Sequence, residues 1–392
     1  MKNRKASQQK PSTGDMRKTE APASNWATYL ASTTAQNASS RGITYLDMLA
    51  TPLTDVNSLS HLDPNTLALS IDNKTPSTSD WEIISSHFTK VQKLYVSTGV
   101  LEEWLDNNFP LHWPLDLLVL SGAATTEVTT PAILEGRIEH MVFYYCHNLQ
   151  WQGLENWESL ADVLPFVDVG ETEEKWALKL ENWTPRKFQN RMLKHYVQSR
   201  PQLEGKLMPT KTKTLEILGN NAISMFIGFC LECFPVAAGL ESVTLSSGDN
   251  NDVGGWIDDA PEEVLFATFL MVLEKLKVSR LSVGERLLTS RDGLETPLLK
   301  NFLRFLPSKL EEFHFRGPVG LAQYVDEWVE ALGDKKVLPA LKKMSFVLDR
   351  TKDGEELDEK AQQDARLAAG KLRAAVATRG VLVQDFEDPW NF

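Results

Sequence analysis

The chain has 392 residues, too many for one small core, so its length implies either two compact domains or one elongated array. A composition of 42% hydrophobic and 24% charged residues belongs to a folded protein and excludes wholesale disorder. The formal charge is −12, and residues 1–41 carry seven Lys/Arg against Asp15 and Glu20, which leaves −12 − 5 = −17 on the remainder. So acidic a body is a poor binder of nucleic acid.

Residues 1–41 are rich in Ser, Thr, Ala, Lys and Gln, with Met16, Trp26, Tyr29 and Leu30 as their large apolar groups. They cannot bury enough surface to offset ordering entropy and are expected to form a disordered basic tail. No apolar stretch follows Lys2, Arg4 and Lys5, so the start of the chain does not read as a secretory signal. Residues 42–392 are then expected to form one repeat domain closed by a C-terminal helix and strand.

From residue 65 onward, short β-like runs alternate with helical stretches, and the runs share the spacing apolar-x-x-apolar-x-apolar. It is met at Val91, Leu94, Val96; at Leu115, Leu118, Leu120; and at Ile138, Met141, Phe143. It returns at Leu240, Val243, Leu245; Val278, Leu281, Val283; Leu310, Phe313, Phe315; and Leu341, Met344, Phe346. Looser versions lie at Leu67, Leu69, Ile71, at Trp176, Leu178, Leu180, and at Leu215, Ile217.

The steps between middle residues are 24 and 23 from Leu94 through Leu118 to Met141, then 38, 32 and 31 from Val243 through Leu281 and Phe313 to Met344. The first two match a leucine-rich-repeat period, and the longer ones leave room for a helix between parallel strands. Pro261–Leu276, Leu298–Leu306, Leu321–Leu332 and Glu355–Arg379 carry helical spacing, and Pro307, Gly333 and Gly380 stand where the last three should stop.

Ile138-x-x-Met141-x-Phe143-x-x-Cys146-x-x-Leu149 resembles the cysteine-containing leucine-rich repeat in every fixed position. With the strand spacing and the phrase Leu306–Phe315, residues 65–349 resemble the irregular repeats of fungal F-box and ribonuclease-inhibitor-like proteins. The resemblance implies an α/β fold: a curved leucine-rich-repeat-like solenoid with a largely parallel sheet and helices on the convex face. Gly99, Ala123, Gly248, Arg286, Pro318 and Asp349 depart from the Asn or Cys of the family pattern, and no Leu-Pro-x-Glu F-box precedes the repeats. Ile43–Leu62 is a remote substitute for one.

Several chemistries lack support. Cys146, Cys230 and Cys233 are too few for a disulfide framework, and Cys230-Leu-Glu-Cys233 lies in an apolar run without a second pair to complete a zinc site. That run, Ile223–Leu240, contains Glu232 and Pro235 and reads as a buried helix rather than a membrane span. Asp249, Asn251 and Gly254 have Val253 and Ala260 where a calcium loop needs oxygen ligands. Lys187–Arg200 mixes basic and aromatic residues and reads as a solvated helix face. No phosphate loop, nucleophile elbow or His-Glu-x-x-His pair occurs, so no cofactor is expected.

The expected function is a non-catalytic protein-interaction module in the cytoplasm or nucleus, with a protein partner and neither nucleic acid nor membrane. A ubiquitin-ligase substrate receptor with a worn F-box, or an enzyme with a loop-built pocket, are the alternatives. Residues that alternate with the buried ones should line the concave face. They are Lys93, Tyr95, His140, Tyr144, Arg280, Glu312, His314, Arg316 and Lys343.

Overall fold

A computed structural model of the chain describes residues 38, 42–98, 104, 109–122, 126–128, 130–144, 146, 149–151, 210–219, 222–246, 269–270, 272–273, 276–284, 300–350 and 358–386. The strands are β1 (Thr44–Asp47), β2 (Ala68–Asp72), β3 (Lys93–Ser97), β4 (Leu117–Ser121), β5 (Thr126–Val128), β6 (His140–Tyr144) and β7 (Leu149–Trp151). They continue with β8 (Thr214–Leu218), β9 (Ser242–Ser246), β10 (Arg280–Gly284), β11 (Glu312–Pro318), β12 (Lys343–Arg350) and β13 (Leu382–Gln384). Eleven of them form one open sheet in sequential order, β5 and β7 pairing separately, and every pairing is parallel.

The repeat motif sets the register. Leu69, Leu94, Leu118, Met141, Leu215, Val243, Leu281, Phe313 and Met344 lie side by side, one per strand. A second ladder fixes the strand entries, where one carbonyl takes two amides of the next repeat: Gln92 O accepts from Asp116 N and Leu117 N, and Glu311 O from Lys342 N and Lys343 N. β8 joins β6 directly although 215 − 141 = 74 positions separate their aligned residues. The candidate strand Trp176–Leu180 falls outside the described residues, as do the segments 187–200 and 249–254.

Helices cover one face of the sheet. They are α1 (Thr78–His87), α2 (Pro131–Leu134), α3 (Ala222–Glu232), α4 (Phe234–Ala237), α5 (Phe302–Phe305), α6 (Val325–Gly333) and α7 (Glu359–Thr378). Ser77 and Asp80 close a capping box at the start of α1, and Asp358 caps α7, which ends before Gly380 in the left-handed region at φ +76°. Helices pack about 10 Å apart and strands about 4.8 Å apart, so an open array of such units curves with the sheet inside.

One continuous core lies between sheet and helices. Its described tryptophans, Trp81, Trp104, Trp113 and Trp328, are all buried. Trp104 packs on Phe109 at 6.0 Å between ring centres, and Trp328 closes on Phe302 at 6.0 Å and Phe315 at 6.3 Å. Phe313 and Phe315 are both 1% exposed, and each burial of this size contributes about 1.5–3 kcal/mol before packing terms.

Three expectations meet the structure in altered form. Leu321–Leu332 opens as a 3-10 stretch, Val319–Tyr324, before α6 begins. The apolar run 223–240 breaks between α3 and α4 at Cys233, with Pro235 in the first turn of α4, where its missing N–H leaves no bond unmade. Residues 43–66, the stand-in for an F-box, hold β1 and a 3-10 turn, Val56–Leu59, rather than a helical bundle. Thr44 occupies the register position that is apolar in the neighbouring strands, and its hydroxyl donates to Thr66 Oγ1 at 2.8 Å, which is how a polar residue enters the sheet edge.

Candidate functional site: the sheet face opposite the core helices

Residues at alternate positions of each strand point away from the helices. Their middle row runs Tyr45, Ser70, Tyr95, Val119, Val142, Glu216, Thr244, Ser282, His314, Ser345 and Gln384. The flanking rows hold the other expected contact residues: Lys93, His140, Arg280, Glu312 and Lys343 before it, and Tyr144 and Arg316 after it. All nine expected residues therefore share one face, in two chemically distinct groups.

The C-terminal group is a charged ladder. Arg280 Nε donates to Glu312 Oε2 at 3.1 Å and its Nη2 to Oε1 at 3.2 Å, and Lys343 Nζ stands 3.9 Å from the same carboxylate. His314 Nδ1 meets Ser345 Oγ at 2.7 Å while its Nε2 lies 3.6 Å from Glu312. Arg316 grips Asp349 with a two-pronged fork, 2.9 and 3.1 Å. Burial favours neutral His314 and, with the nearby Lys343 charge, holds its pKa below the usual imidazole value despite Glu312. Burial pushes Glu312 up, but the Arg280 hydrogen bond and charge outweigh it and keep the carboxyl below its ordinary range.

The N-terminal group differs. Tyr95 is 7% exposed and Tyr144 half-buried, in an apolar cluster with Ala38, Ile43, Val119, Val142 and Leu218. Tyr95, expected among the contact residues of the concave face, is buried there, and both its register neighbour Val119 and Val142 one strand further on are themselves 0% exposed on this face. The signal was legible in Leu117-Leu118-Val119-Leu120, an unbroken apolar run of the kind that strands buried on both faces show. Lys93 stays exposed beside this cluster.

Ala38 lies within the stretch assigned to the tail, yet it is 0% exposed, and its carbonyl accepts from Ile43 N at 2.9 Å.

Between the groups stands a residue that strand spacing did not single out. Glu216 neighbours Val142 on β6 and Thr244 on β9 and is 3% exposed. Its Oε1 lies 2.6 Å from His140 Nε2, and its Oε2 is buried without a hydrogen-bond partner. The signal available was a lone carboxylate alternating with Leu215 and Ile217, which places it on the face opposite the core.

Cys146 sits at the family's ladder position and donates from Sγ to Leu120 O at 3.2 Å, tying the turn after β6 to the preceding strand. Asp349, a departing position, instead carries an exposed carboxylate that takes the Arg316 fork. Cys230 and Cys233 are free and buried in the α3–α4 layer, and burial pushes the Cys230 thiol well up, out of reach of ready ionisation.

No family model and no curated protein matches the chain. Among solved structures it is similar to the leucine-rich repeat-containing protein LegL7 of Legionella pneumophila, at 12% identity over 84% of this chain and 97% of that one, with a TM-score of 0.31. So low a TM-score carries no weight for the fold, which rests on strand order, register and the Cys146 bond. The fold is a leucine-rich-repeat-like solenoid. Among the described residues of this solenoid no helix is long and apolar enough to cross a membrane.

Proposed function

We propose that the chain is a non-catalytic protein-interaction module that binds its partner on the sheet face opposite the core helices, chiefly through β10–β12. The observation that carries this reading is the charged ladder Arg280–Glu312–Lys343 with His314 and the Arg316–Asp349 fork, held on three rigid parallel strands. These groups are held in place by one another and keep part of their surface in solvent, so a complementary protein surface meets them without a large ordering cost. Isolated exposed ion pairs contribute little to stability, about 0–1 kcal/mol, so folding alone gives little reason for such a row.

The ubiquitin-ligase reading gains no support from residues 43–66, which form a strand and a turn. No observation favours the loop-built enzyme. The test is site-specific photocrosslinking in a native extract, with the probe at Thr244 on the face or at Leu367, which is 61% exposed on α7. Crosslinks to another polypeptide from Thr244 and not from Leu367 support the reading, and equal crosslinking from both overturns it.

A further inference from the structure

Val119 and Val142 are fully buried on the sheet face opposite the core helices, and Ala38, a helical residue, belongs to the same apolar cluster there. Thirty-seven residues precede Ala38, and those from 1 to 35 carry six Lys/Arg against two acids, 6 − 2 = +4, facing a body of opposite sign. One strand beyond Val142, Glu216 offers a buried carboxylate oxygen without a partner. An ionised oxygen in such a place is costly unless a donor meets it, and His140 already serves the other oxygen.

We propose that the basic N-terminal segment docks in cis on the sheet face opposite the core helices, with a lysine or arginine of the segment meeting Glu216 Oε2. The inference rests on the reading of this face as the binding face. It makes the segment an internal occupant that a partner must displace. Reach is no constraint, since Lys18 lies 20 residues before Ala38 and a chain of that length extends to about 60 Å or more. Tethering gives the segment an effective concentration of about millimolar order, so modest intrinsic affinity is enough to keep the face occupied.

The experiment titrates a synthetic peptide of residues 1–35 into the full chain and into a chain lacking those residues, at low ionic strength, where charge attraction is least screened. The truncated chain is expected to bind at least about tenfold more tightly than the full chain, whose face is already filled. In the truncated chain Glu216→Gln is expected to weaken binding about tenfold, the scale of one lost charge-assisted contact, while Glu330→Gln on the helical side changes it less than about twofold. A peptide with Lys2, Arg4, Lys5, Lys10, Arg17 and Lys18 replaced by Gln supplies the same test without altering the protein, and is expected not to bind. Equal affinity of full and truncated chains, equal effects of the two Glu variants, or undiminished binding of the neutral peptide each overturn the proposal. None of these results touches crosslinking from Thr244 to another polypeptide, so the two ideas fail separately.

Discussion

The two ends of the sheet face opposite the core helices share one backbone geometry and differ in what fills it. Over β3–β6 the outward positions carry Tyr95, Val119, Val142 and Tyr144, and the face is closed by apolar contact that includes Ala38. Over β10–β12 the outward positions carry Arg280, Glu312, His314, Arg316 and Lys343, which keep part of their side chains in solvent, around the small buried Ser282 and Ser345. Parallel pairing and helix packing are common to both, so the difference lies in the outward side chains and in what packs over them. A repeat array can thus use one surface as a second core at one end and as a contact surface at the other.

The sharpest test of that division comes from below the charged end. Phe315→Ala is expected to cost about 3–5 kcal/mol, through lost burial and the cavity left against Phe302 and Trp328, measured by chemical denaturation. A cost below about 1 kcal/mol would mean that β11 is not packed on its helices.

A reciprocal pair compares the two ends directly. Val119→Thr places a hydroxyl in the closed cluster and is expected to destabilise by about 1–3 kcal/mol, whereas Thr244→Val on the open side stays within about 0.5 kcal/mol. Equal effects in thermal unfolding would erase the distinction between a closed and an open end.

Arg280→Gln removes one arm of the ladder, whose side chains are 44% and 27% exposed, and is expected to change stability by less than about 1 kcal/mol while weakening partner capture. A large loss of stability with intact capture would make the ladder a structural device.

The smallest expected effect is a pH dependence. The folded-state pKa of His314 lies below its ordinary value of 6.5, so above 6.5 both folded and unfolded imidazoles are neutral and nothing is lost. As pH falls below 6.5 the unfolded chain takes up a proton that the folded chain resists, and stability declines until pH passes the folded pKa. His314→Asn should flatten that part of the curve relative to the parent, read from denaturation midpoints between neutral and mildly acid pH. Identical curves would show that Lys343 and burial do not act on this ring as the structure indicates.

Much of this architecture was legible in residue spacing, because strand alternation and helical periodicity are local properties. Phe313 and Phe315 point inward and Glu312, His314 and Arg316 outward simply because a strand has period two. The middle apolar residue of each motif aligns with the next because a one-residue slip would expose the whole core face. Gly380 ends α7 where the left-handed backbone is needed.

What tertiary structure decided is which outward residues remain accessible and which meet, since those facts belong to neighbours distant in sequence. Tyr95 is buried in a cluster with Val119, its neighbour in register, and Val142 one strand further on, 24 and 47 positions along the chain. Glu216 meets His140 across 76 positions, and no local pattern announces such a pair. Thr44, polar where its neighbours are apolar, joins the sheet through Thr66, a compensation visible once the two strands lie side by side. Periodicity assigns a residue to a face, and the occupant of the space above that face decides whether it becomes core or contact surface.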